Sequence, residues 1–195
     1  MKKNIVIFLS TIVASAVIVG LLRIAFMPLI VTGKALKKNA SVKTVDETTL
    51  QAPINQLALA RRTYTSDMDI GAYGMTGPGV DVLYGQGWLD VSKEPMIFDI
   101  PDFGDRYFVI QLTNRWNTVD GYIGTRATGG RRGRYAVVCK DWKGNLPAGI
   151  ERITASTKEI NVLFRVFVAD SDDFAAADSL RRKAKLYPLS SLGAK

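Results

Sequence analysis

The sequence predicts a mainly β protein: an antiparallel β-sandwich or jelly-roll-like pair of sheets, followed by a C-terminal helix and preceded by one N-terminal transmembrane helix. Three observations predict it. Short runs of β-branched and aromatic residues recur between Gly-rich loops from Pro95 to Val168. A helical apolar face follows Asp170, and an uncharged stretch of 19 residues, Asn4–Leu22, opens the chain. The 195 residues fit one domain plus an anchor, divided as anchor 1–31, tether 32–52 and β-rich domain 53–195.

At about 1.5 Å per residue the stretch Asn4–Leu22 nearly crosses a ~30 Å hydrocarbon core. Ile5, Leu9, Val13, Val17 and Leu21 are its candidate anchor residues. Arg23 interrupts, but the apolar run resumes from Ile24 to Val31 around Pro28, as in a tilted helix whose arginine snorkels to a head group. A cleavable signal peptide with Ala14-Ser15-Ala16 as its cleavage site is the rival reading; the apolar run continues past it, which favours an uncleaved anchor. More cations follow the helix (Lys34, Lys37, Lys38, Lys43) than precede it, which counted literally would place the domain in the cytoplasm; the basic head before the apolar run, the usual shape of an export signal, favours instead a single pass through a cell inner membrane with the domain in the periplasm.

Of the formal net charge of +8, Lys2, Lys3, Arg23, Lys34, Lys37, Lys38 and Lys43 supply seven, with no acid before residue 45. The body that follows is almost neutral, which argues against a nucleic-acid partner, whose phosphates need clustered cations on a folded surface. The chain has no histidine and one cysteine, so a Ser-His-Asp triad, a His-ligated zinc and an internal disulfide are excluded, and no metal or cofactor is expected. Cys139, inside the apolar run Tyr135–Cys139, reads as a buried structural thiol.

Residues 32–52 read as a tether or short helix, and the glycines between Gly71 and Gly87 suggest loops. Pro95–Pro101 and Arg106–Leu112, joined by Asp102-Phe103-Gly104-Asp105, read as a hairpin; further strands are expected at 134–140, 150–154 and 161–168. Ser171, Asp172 and Asp173 are candidate caps of the last helix, with Phe174, Ala177, Leu180, Ala184 and Tyr187 on one face.

The strings Asp81-Val82-Leu83-Tyr84, Trp88-Leu89-Asp90 and Pro101–Tyr107, continuing through Gly124–Gly129, Trp142-Lys143-Gly144 and Leu146–Gly149, resemble the bacterial domain of unknown function 1254 over about residues 70–190. The resemblance implies a β-rich domain, followed in longer relatives by a companion domain of unknown function numbered 1214. It implies a partner protein carrying that companion half, beside the membrane itself. Relatives often have an Asn-Asn-Asp-Thr-Leu-Tyr-like string where this chain has Gly79–Tyr84, so polar groups of a shared site are lost here.

The candidate catalytic residues are Asp81, Asp90 and Tyr84, the two loop-like acids with Tyr84 and Arg126 as orienters, for a hydrolase-like enzyme acting on a carbohydrate or another small envelope substrate. Asp102 and Asp105 read as turn formers. Arg126, among glycines with Arg131, Arg132 and Arg134, is the candidate anion binder; the segment lacks the Gly-Lys-Ser/Thr of a P-loop. Trp88 and Trp116 are candidate wall residues of a ligand cleft, against a core role. The leading expectation is an envelope protein that docks a partner. A hydrolase and a carrier of lipid or a small apolar ligand are the alternatives.

Overall fold

A computed structural model describes residues 2–63 and 79–192, with residues 2–11 described by their backbone alone. The calls on Gly71–Gly74 and their neighbours lie outside the described residues. The first element, α1 (Lys2–Ala40), is one helix of 39 residues, roughly 58 Å long, and so far longer than a bilayer core. It runs on through Ala40 into the segment read as tether. Its apolar window has a mean hydropathy of 2.2 and no residue of it is buried in the fold. By length and composition it qualifies to cross a membrane, a test that a signal sequence near the N-terminus also passes.

The body is a sandwich of two sheets. One is five-stranded, in the order β1 (Ala58–Leu59), β2 (Val82–Asp90), β8 (Glu159–Phe167), β4 (Phe108–Thr113), β5 (Val119–Gly124). The other is four-stranded: β7 (Ile150–Ala155), β6 (Gly133–Cys139), β3 (Met96–Ile100), β9 (Lys185–Pro188). Period-2 alternation builds the core: Ile160, Val162, Phe164 and Val166 of β8 point inward, as do Phe108, Ile110 and Leu112 of β4, against Met96, Phe98 and Ile100 of β3.

All pairs but one are antiparallel, as expected for this fold class. β6 and β7 run parallel. A parallel pair needs a crossover, and residues 140–149 supply it, laying Trp142 and Leu146 over the outer-face cluster of Ile97, Ala136 and Val138.

The hairpin expected at Pro95–Leu112 does not form. β3 and β4 sit in different sheets, and residues 101–107 carry the chain across the core. The reason is burial on both faces: Phe98 and Ile100 fill the inter-sheet core while Ile97, fully buried, packs outward, so β3 takes the middle of its sheet between β6 and β9. The connection is itself core. Phe103 is buried and stacks on Phe108 at 4.0 Å, closing one end of the sandwich. Asp102 serves as a turn former, its Oδ1 accepting the Gly104 N–H at 2.9 Å.

β2 occupies Val82–Asp90, where the glycines suggested loops. Gly85 and Gly87 are needed for close approach: a Cβ on Gly87 would lie 2.2 Å from the Gln56 carbonyl oxygen, so only glycine lets residues 56–59 lie against this edge. The last helix, α2 (Phe174–Arg182), ends earlier than the sequence suggests, and Ala184 and Tyr187 leave its face. Lys185–Pro188 instead become β9 and supply the hydrogen bonds that β3 needs at its open side.

Candidate functional site

The candidate residues divide between the two ends of the five-stranded sheet. Asp81 precedes β2 and Asp90 ends it, so nine residues of extended chain hold them roughly 30 Å apart. A glycosidase pair needs about 5–9.5 Å, so these two carboxylates cannot flank one bond. Each instead has local work. The Asp81 carbonyl accepts the Val168 N–H at 2.8 Å, and the Asp90 carboxylate accepts the Ser92 N–H at 2.9 Å, holding the turn that leaves β2.

Tyr84 lies on the outer face of the sheet and is 4% exposed. Its Oη accepts the Gly79 N–H at 2.8 Å, and the Arg165 guanidinium stands over its ring at 5.9 Å. Arg165 also donates to Gln111 at 3.3 Å, which explains a cation inside an apolar strand: it crosses the outer face between two neighbouring strands. Arg126 is exposed in the turn after β5, over the Tyr107 ring at 5.7 Å. It shares an end of the sheet with Asp81, but β8 and β4 lie between them.

At the opposite end, Trp88 is buried on the outer face of β2, with its Nε1–H among the buried groups that lack a hydrogen-bond partner. Trp116, at the β4–β5 turn, is 44% exposed and lies 6.0 Å from the Phe26 ring of α1. Arg115 beside it joins the helix to the sandwich. It donates through Nε to Thr32 Oγ1 at 3.2 Å and through Nη2 to the Leu29 carbonyl at 3.4 Å, while the Thr32 hydroxyl donates to the Arg115 carbonyl at 2.8 Å. Glu159 faces the same guanidinium at 3.8 Å. The groove between helix and sandwich, about 380 Å³, is lined by Leu29, Trp116, Lys140 and Lys158 together with Asp141 and Glu159.

Sequence reasoning missed the most buried charge. Arg181 of α2 has no exposure, and its guanidinium donates to the Tyr84 carbonyl at 2.6 Å and the Ala60 carbonyl at 2.7 Å, and to Asp178. Burial pushes its pKa down, opposed by the Asp178 carboxylate. Burial also pushes Asp178 up, but hydrogen bonds from Arg182 and Arg181 outweigh it and hold that carboxyl below its usual range. The arginine closes the edge of β2 that β1 leaves open, and it borders a cavity of about 210 Å³ reaching Phe98 and Phe164. The only signal in sequence was a basic cluster at a helix end, which reads equally as dipole pairing.

At the other end of α2, Arg106 grips the Asp173 carboxylate with both Nη atoms, at 2.6 and 2.5 Å, and Ala169 N–H adds a bond at 3.0 Å. The Arg106 bonds hold the Asp173 pKa down at about 2. Asp173 is thus a clamp, while Asp170 accepts the Asp172 and Asp173 N–H groups. Cys139 is buried and free, as expected. Among the described residues no cluster of three or more acids and cysteines could hold a metal.

The model of a family described as a protein of unknown function, DUF1254, matches residues 54–188. No curated protein matches the sequence. Among solved structures, the VPA0106 protein of Vibrio parahaemolyticus aligns with a TM-score of 0.68 at 20% identity, covering 89% of this chain and 38% of its own. An uncharacterised protein from Burkholderia cenocepacia aligns with a TM-score of 0.44 at 13% identity, over 71% of this chain and 36% of its own. The chain therefore spans well under half the length of these structures.

Proposed function

This chain belongs to the DUF1254 family of proteins of unknown function, and from that premise we propose that it is a membrane-tethered docking module, one half of a two-component assembly. One observation carries the reading: the lipid-ready helix and the sandwich are joined by side-chain bonds. Thr32 and Arg115 make two hydrogen bonds, with Arg115 further tied to Leu29 and Glu159, whereas a free-swinging anchor would need none. Such a joint gives the body a set orientation on the bilayer, which reduces the ordering cost of meeting a second membrane protein. The absence of a shared carboxylate pair at Asp81 and Asp90 takes support from a hydrolase.

In this reading α1 makes a single pass through the inner membrane, the sandwich faces the periplasm, and the partner carries the companion domain of unknown function 1214. The experiment is cross-linking in native membranes followed by detergent purification of the tagged full chain and mass spectrometry. Recovery of a protein bearing that companion domain is the expected result; recovery of the chain alone overturns the docking reading. Carbonate extraction tests the anchor, which should stay in the pellet. A second reading, binding of a small apolar ligand, is favoured by the cavity beside Phe98 and Phe164; filling it with Leu59→Trp should abolish uptake of an apolar dye.

A further inference from the structure

On the anchor reading, in which Asn4–Leu22 fills the bilayer core, the β4–β5 turn stands at the depth where α1 leaves it. Asn4–Leu22 is long enough to fill a ~30 Å core, Arg23 is the first charge after it, and Phe26 lies three residues, about 4.5 Å, farther along the axis. That is the head-group layer. Trp116 meets Phe26 there, ring to ring at 6.0 Å.

The neighbouring side chains fit the same layer. Val119 and Tyr122 of β5 are 41% and 45% exposed, a concentration of large apolar surface on an edge strand that the sandwich leaves uncovered. Tryptophan and tyrosine favour this layer because an apolar ring and a polar tip are both satisfied in it. Lys140 and Lys158 are exposed on the same end of the sandwich and line the groove with Trp116 and Leu29, beside Asp141 and Glu159; an ammonium group at head-group depth is attracted to lipid phosphate. Arg115 is held by the helix and by Glu159, so the turn cannot swing away from the helix without breaking those bonds.

We infer that the β4–β5 tip is a second membrane contact, in which Trp116, Val119 and Tyr122 enter the interfacial layer of the bilayer that α1 crosses, with Lys140 and Lys158 against its phosphates. The inference rests on the anchor reading above. The tip adds a second point of contact to the orientation that the Arg115 joint gives the sandwich, and so limits tilting of helix and sandwich together in the bilayer.

The test uses the full chain reconstituted in vesicles of brominated phosphatidylcholine and phosphatidylglycerol, with tryptophan emission read against unbrominated vesicles. Trp88 is 2% exposed and Trp142 packs on the other sheet, so the difference between wild type and W116F isolates Trp116. The expected result is that W116F loses most of the quenched emission, and that adding Y122W to W116F restores quenching. Equal quenching in wild type and W116F, with no gain from Y122W, overturns the tip contact. Flotation of the vesicles separates the two readings: a chain that fails to float overturns the anchor, whereas one that floats with Trp116 unquenched overturns the tip alone. Should W116F not fold, Y122W in the wild-type background carries the same readout.

Discussion

Strand β8 and the helix α1 are both rich in branched aliphatic residues, yet their fates are opposite. In β8 every second residue, from Ile160 to Val166, is at most 1% exposed. In α1, Val13 is 62%, Leu21 61% and Ile24 70% exposed. The difference teaches that hydrophobicity settles only that a surface must leave water. Periodicity decides where it goes: an alternating strand leaves half its side chains for one face and pairs them across a sheet, while the stretch of α1 that is apolar all round finds no such face in the sandwich and, by length and composition, qualifies to cross a membrane.

The comparison breaks first in the core. Phe164→Ala should cost about 3–5 kcal/mol, because the ring packs edge-on to both Phe103 and Phe108 and the hole cannot collapse. Denaturant unfolding of the detergent-purified chain reads it. Arg181→Ala comes next, at about 3 kcal/mol, since the Ala60 and Tyr84 carbonyls and Asp178 lose the guanidinium together, although the Ala60 N–H still reaches Tyr84 and Arg182 still reaches Asp178; Arg181→Met, which refills the volume, should recover part of that loss. Val17→Arg inverts the pattern: the unfolding midpoint should not move, while bilayer insertion is disfavoured by about 2.5 kcal/mol, seen as protein missing from the floating fraction.

The smallest effect sharpens rather than breaks the comparison. Asp173 is held at about 2 in the folded state, below the ordinary carboxyl value near 3.9. A folded pKa depressed in this way adds stability that is present above about pH 4 and fades as pH falls toward 2, where the Asp173 carboxylate is protonated and the charged clamp with Arg106 is lost. Asp173→Asn should therefore flatten the acid limb of the stability curve in that window, with the largest difference from wild type at neutral pH.

Much of this fold was legible in the residues. The apolar helix, the strands at Gly133–Cys139, Ile150–Ala155 and Glu159–Phe167 and the buried Cys139 follow from local pattern. The site was less so. Asp81 and Asp90 read as a pair because both fall in stretches that look like loops beside Tyr84 and Trp88, but the stretch is one strand, and its nine extended residues hold them about as far apart as a chain of that length can reach. β2 was hidden by Gly85 and Gly87, whose purpose is the backbone of residues 56–59, a contact no window around the glycines contains.

What the sequence by itself determined is the apolar helix and those strands whose alternation is uninterrupted by glycine, because side-chain period and hydrophobicity are local properties. Only the tertiary structure decided which strands pair, that Phe103 carries the chain from one sheet to the other, that Arg181 is the donor for two distant carbonyls, and that Arg115 fastens the body to its helix. Each of these joins residues far apart in the chain, and the free energy that selects them comes from burying surfaces against one another, which exists only once both surfaces are in place.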